Sequence, residues 1–378
     1  MTGKDSLRWW PHNFLQSGDG FDQFWQSYLH AGDRNILFIL GKGFDSRMNC
    51  GIEKILGFKE RLKLTCMMIN IQEGEFSPSR AYLHEVEDNY CKLKKLLEDR
   101  CDLIEEDLAM LKDTRRVGGR KAAVLFTDEN LLLPYTDVVV DISAMPRNIY
   151  FPLIKQIDNL IQNMVHKGLG KNLHVIVAEE FIRDIRIRAQ ELDENASYMF
   201  SFSGGMELEG NADTPIIWFP ILGEGKQEQL DIVYKLLEIS VKNKEIEICP
   251  VIPFPARNPR RGDDLIVQYH EFFERHEVES RNIIFADEQN PFDVYRQICN
   301  AAMHYEEALK PLEGCRNIIS AMSSKLLSIG ALIAAKERDM AVAFVGAQGY
   351  SLDEESNNQL LDVEWELFEV WVSGEPYC

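Results

Sequence analysis

Residues 35–43 read NILFILGKG, an apolar run that ends in two glycines. A short apolar run without polar alternation is typical of a central parallel strand that is buried on both faces. Glycine after the strand allows a tight turn and a close approach of the backbone to other groups. A helix is predicted to follow at about 47–56. This strand–turn–helix unit predicts an α/β fold.

Parts of this stretch recur later in the chain. Residues 39–43 read ILGKG and residues 221–225 read ILGEG, whereas residues 142–145 and 319–322 both read ISAM. The two pairs keep their order and are separated by 182 and 177 residues, respectively. Two matches in the same order at nearly the same spacing indicate a diverged internal duplication.

The rest of the chain continues the pattern of strands and helices. Further strands are predicted at 62–71, 121–126, 137–142 and 173–178, and then at 216–222, 245–252, 282–286, 316–320 and 340–345. Strands that alternate with helices predict parallel sheets covered on both faces. The sequence therefore predicts the α/β class, with two tandem Rossmann-like doubly wound parallel sheets related by an internal duplication.

These patterns divide the chain into five segments. They are an N-terminal helical appendage (1–33), a first Rossmann-like lobe (34–178) with a helical hairpin insertion (79–112), a connector (179–214), a second Rossmann-like lobe (215–350) and a C-terminal tail (351–378). In the tail, residues 362–371 alternate acidic and apolar side chains. This alternation predicts a strand with one buried face that pairs with a sheet edge or a partner chain.

Composition limits the cellular setting and the partners. The 378 residues carry a formal net charge of −20, which argues against a broad nucleic-acid-binding surface because phosphate binding needs clustered cations. No apolar run reaches the roughly 18 to 20 residues that span a bilayer, and the first residues lack a signal-peptide pattern. Eight cysteines without a CxxC pair indicate reduced thiols. We therefore expect a cytoplasmic protein that does not contact a membrane.

A ligand site is predicted where strands 1 and 4 of each sheet are neighbours, because a crevice opens there at the carboxyl ends of the strands. In the first lobe the glycines let the backbone approach a ligand, and the cations and Ser143 offer contacts to an anion. The alternatives are a plain turn capped by Asp45 or Ser46, and helix capping by Ser143. The candidate residues are Gly41, Lys42, Gly43, Arg47, Ser143 and Arg147.

The second lobe offers a richer anion site at the corresponding place. Hydroxyl groups and a lysine at a helix N-terminus suit a phosphate group, although Glu224 in the strand-1 loop opposes one. A separate basic run at 257–261 is either a solvated loop or an anion-binding loop. The candidate residues of the second lobe are Gly223, Gly225, Lys226, Ser323, Ser324 and Lys325.

Catalytic patterns are weaker than these binding patterns. The eight histidines show no HxH or HxxxH spacing, so a histidine-ligated metal is not expected. Acidic pairs at 128–129 and 287–288 follow the third strand of each lobe. They suit a metal or a ribose, but acids are commoner at such places as helix starts.

The strand that leads into Ser323-Ser324-Lys325, with the apolar small-residue helix Leu326–Ala335 behind it, resembles the final motif of CARF-type Rossmann domains. Two such lobes in one chain are similar to SAVED domains of bacterial antiphage signalling systems. The resemblance implies that the Ser-Ser-Lys turn contacts a cyclic oligonucleotide. The first lobe departs from the pattern, with Pro146-Arg147 at this place, and no nuclease, protease or TIR effector pattern accompanies the lobes.

Three functions remain open at this point. The leading hypothesis is a bacterial sensor or regulatory subunit that binds a nucleotide, a cyclic oligonucleotide or another phosphorylated ligand. It would act with partner proteins or as a homo-oligomer. The second is an enzyme of nucleotide or sugar-phosphate metabolism, with Asp141 or Asp287 as acid or base. The third is a structural subunit without a ligand. Cations, hydroxyls and backbone donors suffice for a sensor, whereas an enzyme needs a perturbed acid or base.

Overall fold

The computed structural model of the chain describes residues 7–10, 14–59, 61–98, 100–113, 115–180, 187–206, 214–240, 246–352 and 365–377. The chain divides into two units. The first unit comprises Phe14–Gln190 and Gln348–Cys378, and the second comprises Met1–Asn13 and Glu191–Ala347. Each unit therefore combines a long stretch of the chain with a shorter one that is distant in sequence.

The first half of the chain alternates strands and helices. In order these are β1 (Leu15–Ser17), α1 (Asp19–His30), β2 (Asn35–Lys42), α2 (Cys50–Phe58), β3 (Lys63–Gln72), α3 (Leu83–Leu97), β4 (Asp102–Ala109), β5 (Leu111–Lys112), β6 (Arg115–Arg116), α4 (Gly118–Val124), β7 (Asp137–Asp141), α5 (Arg147–His166), β8 (Asn172–Glu179) and β9 (Ile187–Leu192).

The second half continues the alternation. Its elements are β10 (Ser197–Tyr198), β11 (Ile216–Ile221), α6 (Gln227–Ser240), β12 (Ile246–Ile248), β13 (Val251–Pro253), α7 (Arg261–Gln268), α8 (His270–Arg275), β14 (Ile284–Ala286), α9 (Pro291–Ala308), β15 (Arg316–Ala321), α10 (Lys325–Glu337), β16 (Ala341–Phe344), β17 (Ala347–Leu352) and β18 (Glu366–Ser373). Of these, β17 pairs with β9 in a separate two-stranded ribbon.

The sheet of the first unit has the strand order β1-β18-β8-β7-β2-β3-β4. The five strands from β8 to β4 run parallel. Numbered along the chain, they stand in the Rossmann-like order 3-2-1-4-5. Strand β18 joins this sheet antiparallel to β8, and β1 pairs with β18.

The sheet of the second unit has the order β10-β16-β15-β11-β13-β14, with β12 also paired to β11. Its parallel strands again follow the order 3-2-1-4-5. The antiparallel strand next to strand 5 is β10, which pairs with β16. Both units are therefore α/β structures with a mainly parallel sheet, as the sequence predicts.

Apolar runs explain the centres of both sheets. Every residue of β7, β8 and β11 is buried, because helices cover both faces of a parallel sheet. Helix α10 is buried from Leu326 to Ala335, which agrees with its nearly uninterrupted apolar sequence. These elements hold the carboxyl edge of each sheet in place.

Two predictions inside the first lobe are wrong. The helical hairpin predicted at 79–112 contains one long helix, α3, followed by the edge strand β4. Edge strands accept acidic side chains because one edge faces water, and the acids of β4 made it resemble a helix. The strand predicted at 121–126 lies largely in α4, because a short apolar run does not distinguish a buried helix from a strand.

Segments near both ends of the chain take part in the main sheet of the first unit to a greater extent than predicted. The N-terminal appendage contains the predicted helix, α1, but β1 belongs to the main sheet. The tail strand is confirmed at 366–371, where it pairs with β8, whereas 362–364 lie outside the described residues. The prediction of one buried face is wrong, because every residue of β18 after Glu366 is buried. The strand lies inside the sheet, between β8 and β1.

Among the residues that the structure describes, no helix combines the length and the apolar character needed to cross a bilayer.

Candidate functional site

In each unit the carboxyl ends of strands 1 and 4 are neighbours, which is where a doubly wound sheet is expected to form a ligand crevice. We call these the first crevice (the loops after β2 and β7) and the second crevice (the loops after β11 and β15). In the second crevice the two loops touch at Gly223. A Cβ at this glycine would lie 2.5 Å from the carbonyl oxygen of Met322 and 2.9 Å from Cα of Ser323. Glycine is therefore required for the two predicted binding loops to meet.

The turn after β15 starts helix α10. The Ser324 hydroxyl accepts a hydrogen bond from the Leu327 amide at 3.2 Å, so Ser324 is the N-cap of this helix. Ser323 is buried beside it, and the partly buried Lys325 is the first helical residue. The three residues of the Ser-Ser-Lys motif thus occupy the helix N-terminus that the sequence predicts, and one of them has a capping role.

Tyr269 holds the strand-1 loop of the second crevice. Its hydroxyl donates to the Gly223 carbonyl and accepts from the Lys226 amide at 3.1 Å. Gly225 has a φ of 67°, which lies in the left-handed region that favours glycine. Lys226 directly precedes α6. This loop therefore brings a second helix N-terminus to the same edge.

A buried ion cluster borders the second crevice. The Arg261 side chain donates to Glu224 through Nε and Nη2, at 2.8 and 2.9 Å, and also pairs with Glu288. The Arg257 amide donates to Glu288 at 2.6 Å. Of the three arginines in the basic run, Arg261 is thus internal to the protein, whereas Arg257 and Arg260 are exposed. The carboxylate of Glu224 is held by Arg261 and is not an isolated negative charge in the loop.

The first crevice shows the same meeting of loops. A Cβ at Gly41 would lie 2.8 Å from Cγ of Met145, and a Cβ at Gly43 would lie 3.3 Å from Cβ of Ala144. The strand-1 glycines therefore contact the segment that follows strand 4 in both units.

The cations of the first strand-1 loop are used inside the unit. Arg47 is buried and forms an ion pair with Asp45 at 2.7 Å, and its Nη1 donates to the Ala178 carbonyl at 3.0 Å. The ammonium group of Lys42 lies 3.9 Å from a Glu87 carboxylate oxygen and 3.9 Å from the ring centre of Tyr90. These contacts favour a structural role for both residues over the predicted ligand contact.

Ser143 also has a structural contact. Its amide donates to Asp141 at 2.9 Å, and its hydroxyl accepts from the Ala178 amide at 2.9 Å. The other oxygen of the buried Asp141 carboxylate faces Gly51, where a Cβ would collide with it. Asp141 therefore lies against helix α2. The second acid of the enzyme hypothesis, Asp287, accepts from the Gln289 amide at 2.8 Å and so stabilises its own turn.

The repeated serines both contact strand 5 of their unit, although Ser143 follows strand 4 and Ser320 lies inside it. Ser143 binds Ala178 near the end of strand 5, and the Ser320 hydroxyl donates to the Ala343 carbonyl in strand 5 of the second unit at 2.9 Å. Leu40, one residue before Gly41, pairs with Asp141, two residues before Ser143. In the second unit Ile221, two residues before Gly223, pairs with Ala321, one residue after Ser320. The glycine pair and the serine pair therefore do not both occupy equivalent positions in the two sheets.

Helices α5 and α10 have unusual first turns. Among the described helices of eight residues or more, only these two have no acid in the first turn, and they begin with Arg147 and Lys325. All the others of that length have at least one acid there. Acidic side chains stabilise a helix N-terminus, whereas cationic side chains destabilise it. In a chain with a net charge of −20, both strand-4 helices thus present a positive start to their crevice.

A buried charge cluster that the sequence does not predict lies at the opposite, amino end of the first sheet. His174 in β8 is fully buried, with Nδ1 2.7 Å from Glu369 and Nε2 3.7 Å from Asp137. Rings of Phe24, Trp25, Tyr28 and Trp371 surround it. A lone histidine in an apolar strand carries no signal that its partners are acids from distant segments.

Burial and ion pairing shift the pKa values of His174 and Asp137 in opposite directions. Burial acts to lower the pKa of His174, but the hydrogen bonds to Asp137 and Glu369 outweigh it, so the pKa is raised. Burial raises the pKa of Glu369. For Asp137, burial acts upward, but the contacts of His174, Thr136 and Tyr28 lower the pKa to about 2. The cluster links β7, β8, β18 and α1 through hydrogen bonds and ion pairs.

Among the described residues, no group of three or more His, Cys, Asp or Glu side chains is arranged so that it could hold a metal ion.

The sequence matches no protein-family model and no curated protein. It is similar to a functionally unknown protein from Pseudomonas aeruginosa PAO1, with 8% identity and a TM-score of 0.23 over 84% of this chain and 93% of that one. It is also similar to a universal stress protein from Archaeoglobus fulgidus, with 9% identity and a TM-score of 0.21 over 81% of this chain and 94% of that one. The α/β fold of both units is shown by the order of their strands.

Proposed function

We propose that this protein binds a phosphorylated small molecule, such as a nucleotide or cyclic oligonucleotide, at the second crevice and acts as a sensor or regulatory subunit. The observation that carries the proposal is Lys325 at the start of α10, in a first turn that has no acid. A cation there opposes the helix dipole at a cost of about 0.3–1 kcal/mol. A bound anion reverses that cost, because the lysine and the terminal N–H groups then both face negative charge.

Three features of the second crevice support the same ligand class. Gly223 lets the strand-1 and strand-4 loops meet. Lys226 brings a second cation and a second helix start to the edge. The carboxylate of Glu224 is engaged by Arg261. The groups at this crevice are cations, hydroxyls and backbone donors, which suit ligand binding better than acid–base catalysis.

The resemblance of the Ser323-Ser324-Lys325 turn to CARF-type domains supports a cyclic oligonucleotide as the ligand and bacterial antiphage defence as the setting. In that setting the protein is cytoplasmic and acts through a partner protein or a second copy of itself.

We also propose that the two units arose by duplication, which the shared strand order supports, together with the contact that both Ser143 and Ser320 make with strand 5. A superposition of the two sheets that separated these two serines would contradict it.

Calorimetric titration with ATP and with cyclic oligoadenylates tests the binding proposal. A charge-assisted hydrogen bond contributes about 1.5–3 kcal/mol, so Lys325→Ala should weaken binding roughly 10- to 100-fold. Lys336→Ala, near the other end of α10, is the matched control and should bind as the unmodified protein does. Ser324→Ala should mainly lower thermal stability, because Ser324 caps the helix. Equal affinities for Lys325→Ala and Lys336→Ala, or no binding of any of these nucleotides, would contradict the proposal.

A further inference from the structure

Two phenylalanine rings adjoin each other on the surface of the second unit. Phe254 directly follows β13 and is 51% exposed, and Phe285 in the edge strand β14 is 46% exposed. Their ring centres are 5.9 Å apart, and the ring planes meet at 71°. The Phe254 amide donates to the Ala286 carbonyl at 2.7 Å, so the backbone fixes the two residues beside each other. Exposed apolar side chains that adjoin one another are typical of a binding surface, whereas single ones are not.

The two rings lie on the same face of the sheet as the residues that lead into the second crevice. Phe285 pairs in register with Ile252, and paired residues of neighbouring parallel strands point to the same face. Ile252 packs in one apolar cluster with Leu222 and Met322. These two residues directly precede the two loop positions that touch in the second crevice. A ligand at the crevice can therefore reach the rings without crossing the sheet.

The loop after β13 connects the rings to the second crevice. It begins at Phe254, and at its end Arg261 donates to Glu224 in the strand-1 loop at 2.8 Å. Strand β13 lies next to β11, and β11 lies next to β15. Neighbouring strands are about 4.8 Å apart, so Phe254 and the turn after β15 are separated by roughly 10 Å across the sheet. A nucleoside triphosphate is long enough to span this separation.

The charge of this loop suits an anionic ligand. Residues 254–260 contain two exposed arginines and no acid, in a chain with a net charge of −20. Of the acids in the neighbouring loops, Glu224 and Glu288 are paired with Arg261. The loop therefore presents apolar rings together with positive charge, which is the combination that binds a base and its phosphates.

We propose that Phe254 and Phe285 form a base-binding site next to the second crevice, so that the ligand is a nucleotide whose base contacts the rings and whose phosphates contact Lys325. This inference rests on the proposed function for the phosphates and adds a planar base as a second required feature of the ligand. A sugar phosphate lacks the base and cannot use the contact. Every base has a π-face that can stack on an aromatic side chain, so the rings select for a base but not between bases.

Calorimetric titration with ATP and with inorganic triphosphate tests this inference. Phe254→Ala should weaken ATP binding roughly 5- to 150-fold and leave triphosphate binding unchanged, because only ATP carries a base. Phe254→Trp keeps a ring and should bind ATP as the unmodified protein does. Phe200→Ala is the matched control, since Phe200 is 45% exposed and lies just after β10, at the opposite edge of the same sheet. Equal ATP affinities for Phe254→Ala and Phe200→Ala would overturn the inference.

The same titrations separate this inference from the proposed function. If Lys325→Ala weakens the binding of ATP and triphosphate whereas Phe254→Ala weakens neither, the proposed function stands and the base-binding site is rejected. If Phe254→Ala weakens ATP binding and Lys325→Ala does not, the base-binding site stands and the phosphate contact of Lys325 is rejected. Absence of ATP binding to the unmodified protein rejects both.

A second variant decides the outcome should Phe254→Ala prove unfolded. Phe254→Leu keeps an apolar side chain beside Phe285 and removes only the aromatic ring. It should also bind ATP more weakly than the unmodified protein, and an ATP affinity equal to that of the unmodified protein rejects the inference.

Discussion

Replacing Arg261 with methionine removes the cation that lies between Glu224 and Glu288. Arg261 is 3% exposed, and the side chain of Glu288 is 9% exposed, so the change leaves a carboxylate in a nearly dry environment. Removing one partner of a buried ion pair costs about 3–5 kcal/mol, because the remaining charge is uncompensated. The side chain of Glu224 is 25% exposed, and water compensates it in part. The expected cost therefore comes mainly from Glu288.

Urea denaturation followed by circular dichroism measures this cost as a change in the free energy of unfolding. Arg261→Met should lose about 3–5 kcal/mol, and adding Glu288→Gln should recover most of the loss because no buried charge remains. Arg260→Met is the matched control, since Arg260 is an exposed neighbour, and it should stay within about 0.5 kcal/mol of the unmodified protein. A loss for Arg261→Met no larger than that of Arg260→Met would refute the argument that this cluster stabilises the second unit.

Three further predictions concern other parts of the molecule. Without ligand, Lys325→Ala should raise the melting temperature by about 1–4 °C, because it removes a cation worth about 0.3–1 kcal/mol at the start of α10; a lower melting temperature in calorimetry would contradict the dipole argument. The raised pKa of His174 means that its ion pairs stabilise the folded state fully below the unfolded pKa, and that this contribution is lost as pH rises through the folded pKa. The urea midpoint of unfolding should therefore fall as pH rises through the folded pKa of His174, and His174→Phe should not show this fall. An equal fall in His174→Phe would show that another group causes the pH dependence. Gly51→Ala should lower the free energy of unfolding by about 1–3 kcal/mol, because its methyl group meets the Asp141 carboxylate, whereas Gly57→Ala, with open space around it, should not destabilise.

The elements that the sequence predicts correctly are those whose burial is uniform. Strands such as β2, β7 and β11 have a continuous apolar run at their centre because both faces are covered, and this pattern needs no knowledge of the partner strands. The sequence does not predict the edge strand β4, because the burial of this strand is not uniform. Its acids and partial exposure follow from its place in the sheet, and that place depends on pairing with β3.

The sequence predicts where the candidate site lies, but it predicts the roles of the individual site residues only in part. The repeated glycines and the Ser-Ala-Met turns locate both crevices, since strand ends and helix starts are visible in the sequence. Arg47 was predicted to contact a ligand because Asp45, with which it forms an ion pair, was assigned only to capping a turn.

Hydrogen–deuterium exchange of the unmodified protein, with and without nucleotides, tests the central claim most directly. The account predicts that ATP or a cyclic oligoadenylate slows amide exchange at 223–228 and 323–328, where the N-termini of α6 and α10 meet the second crevice. Exchange that is unchanged in both segments at saturating concentrations of every nucleotide tested would contradict it.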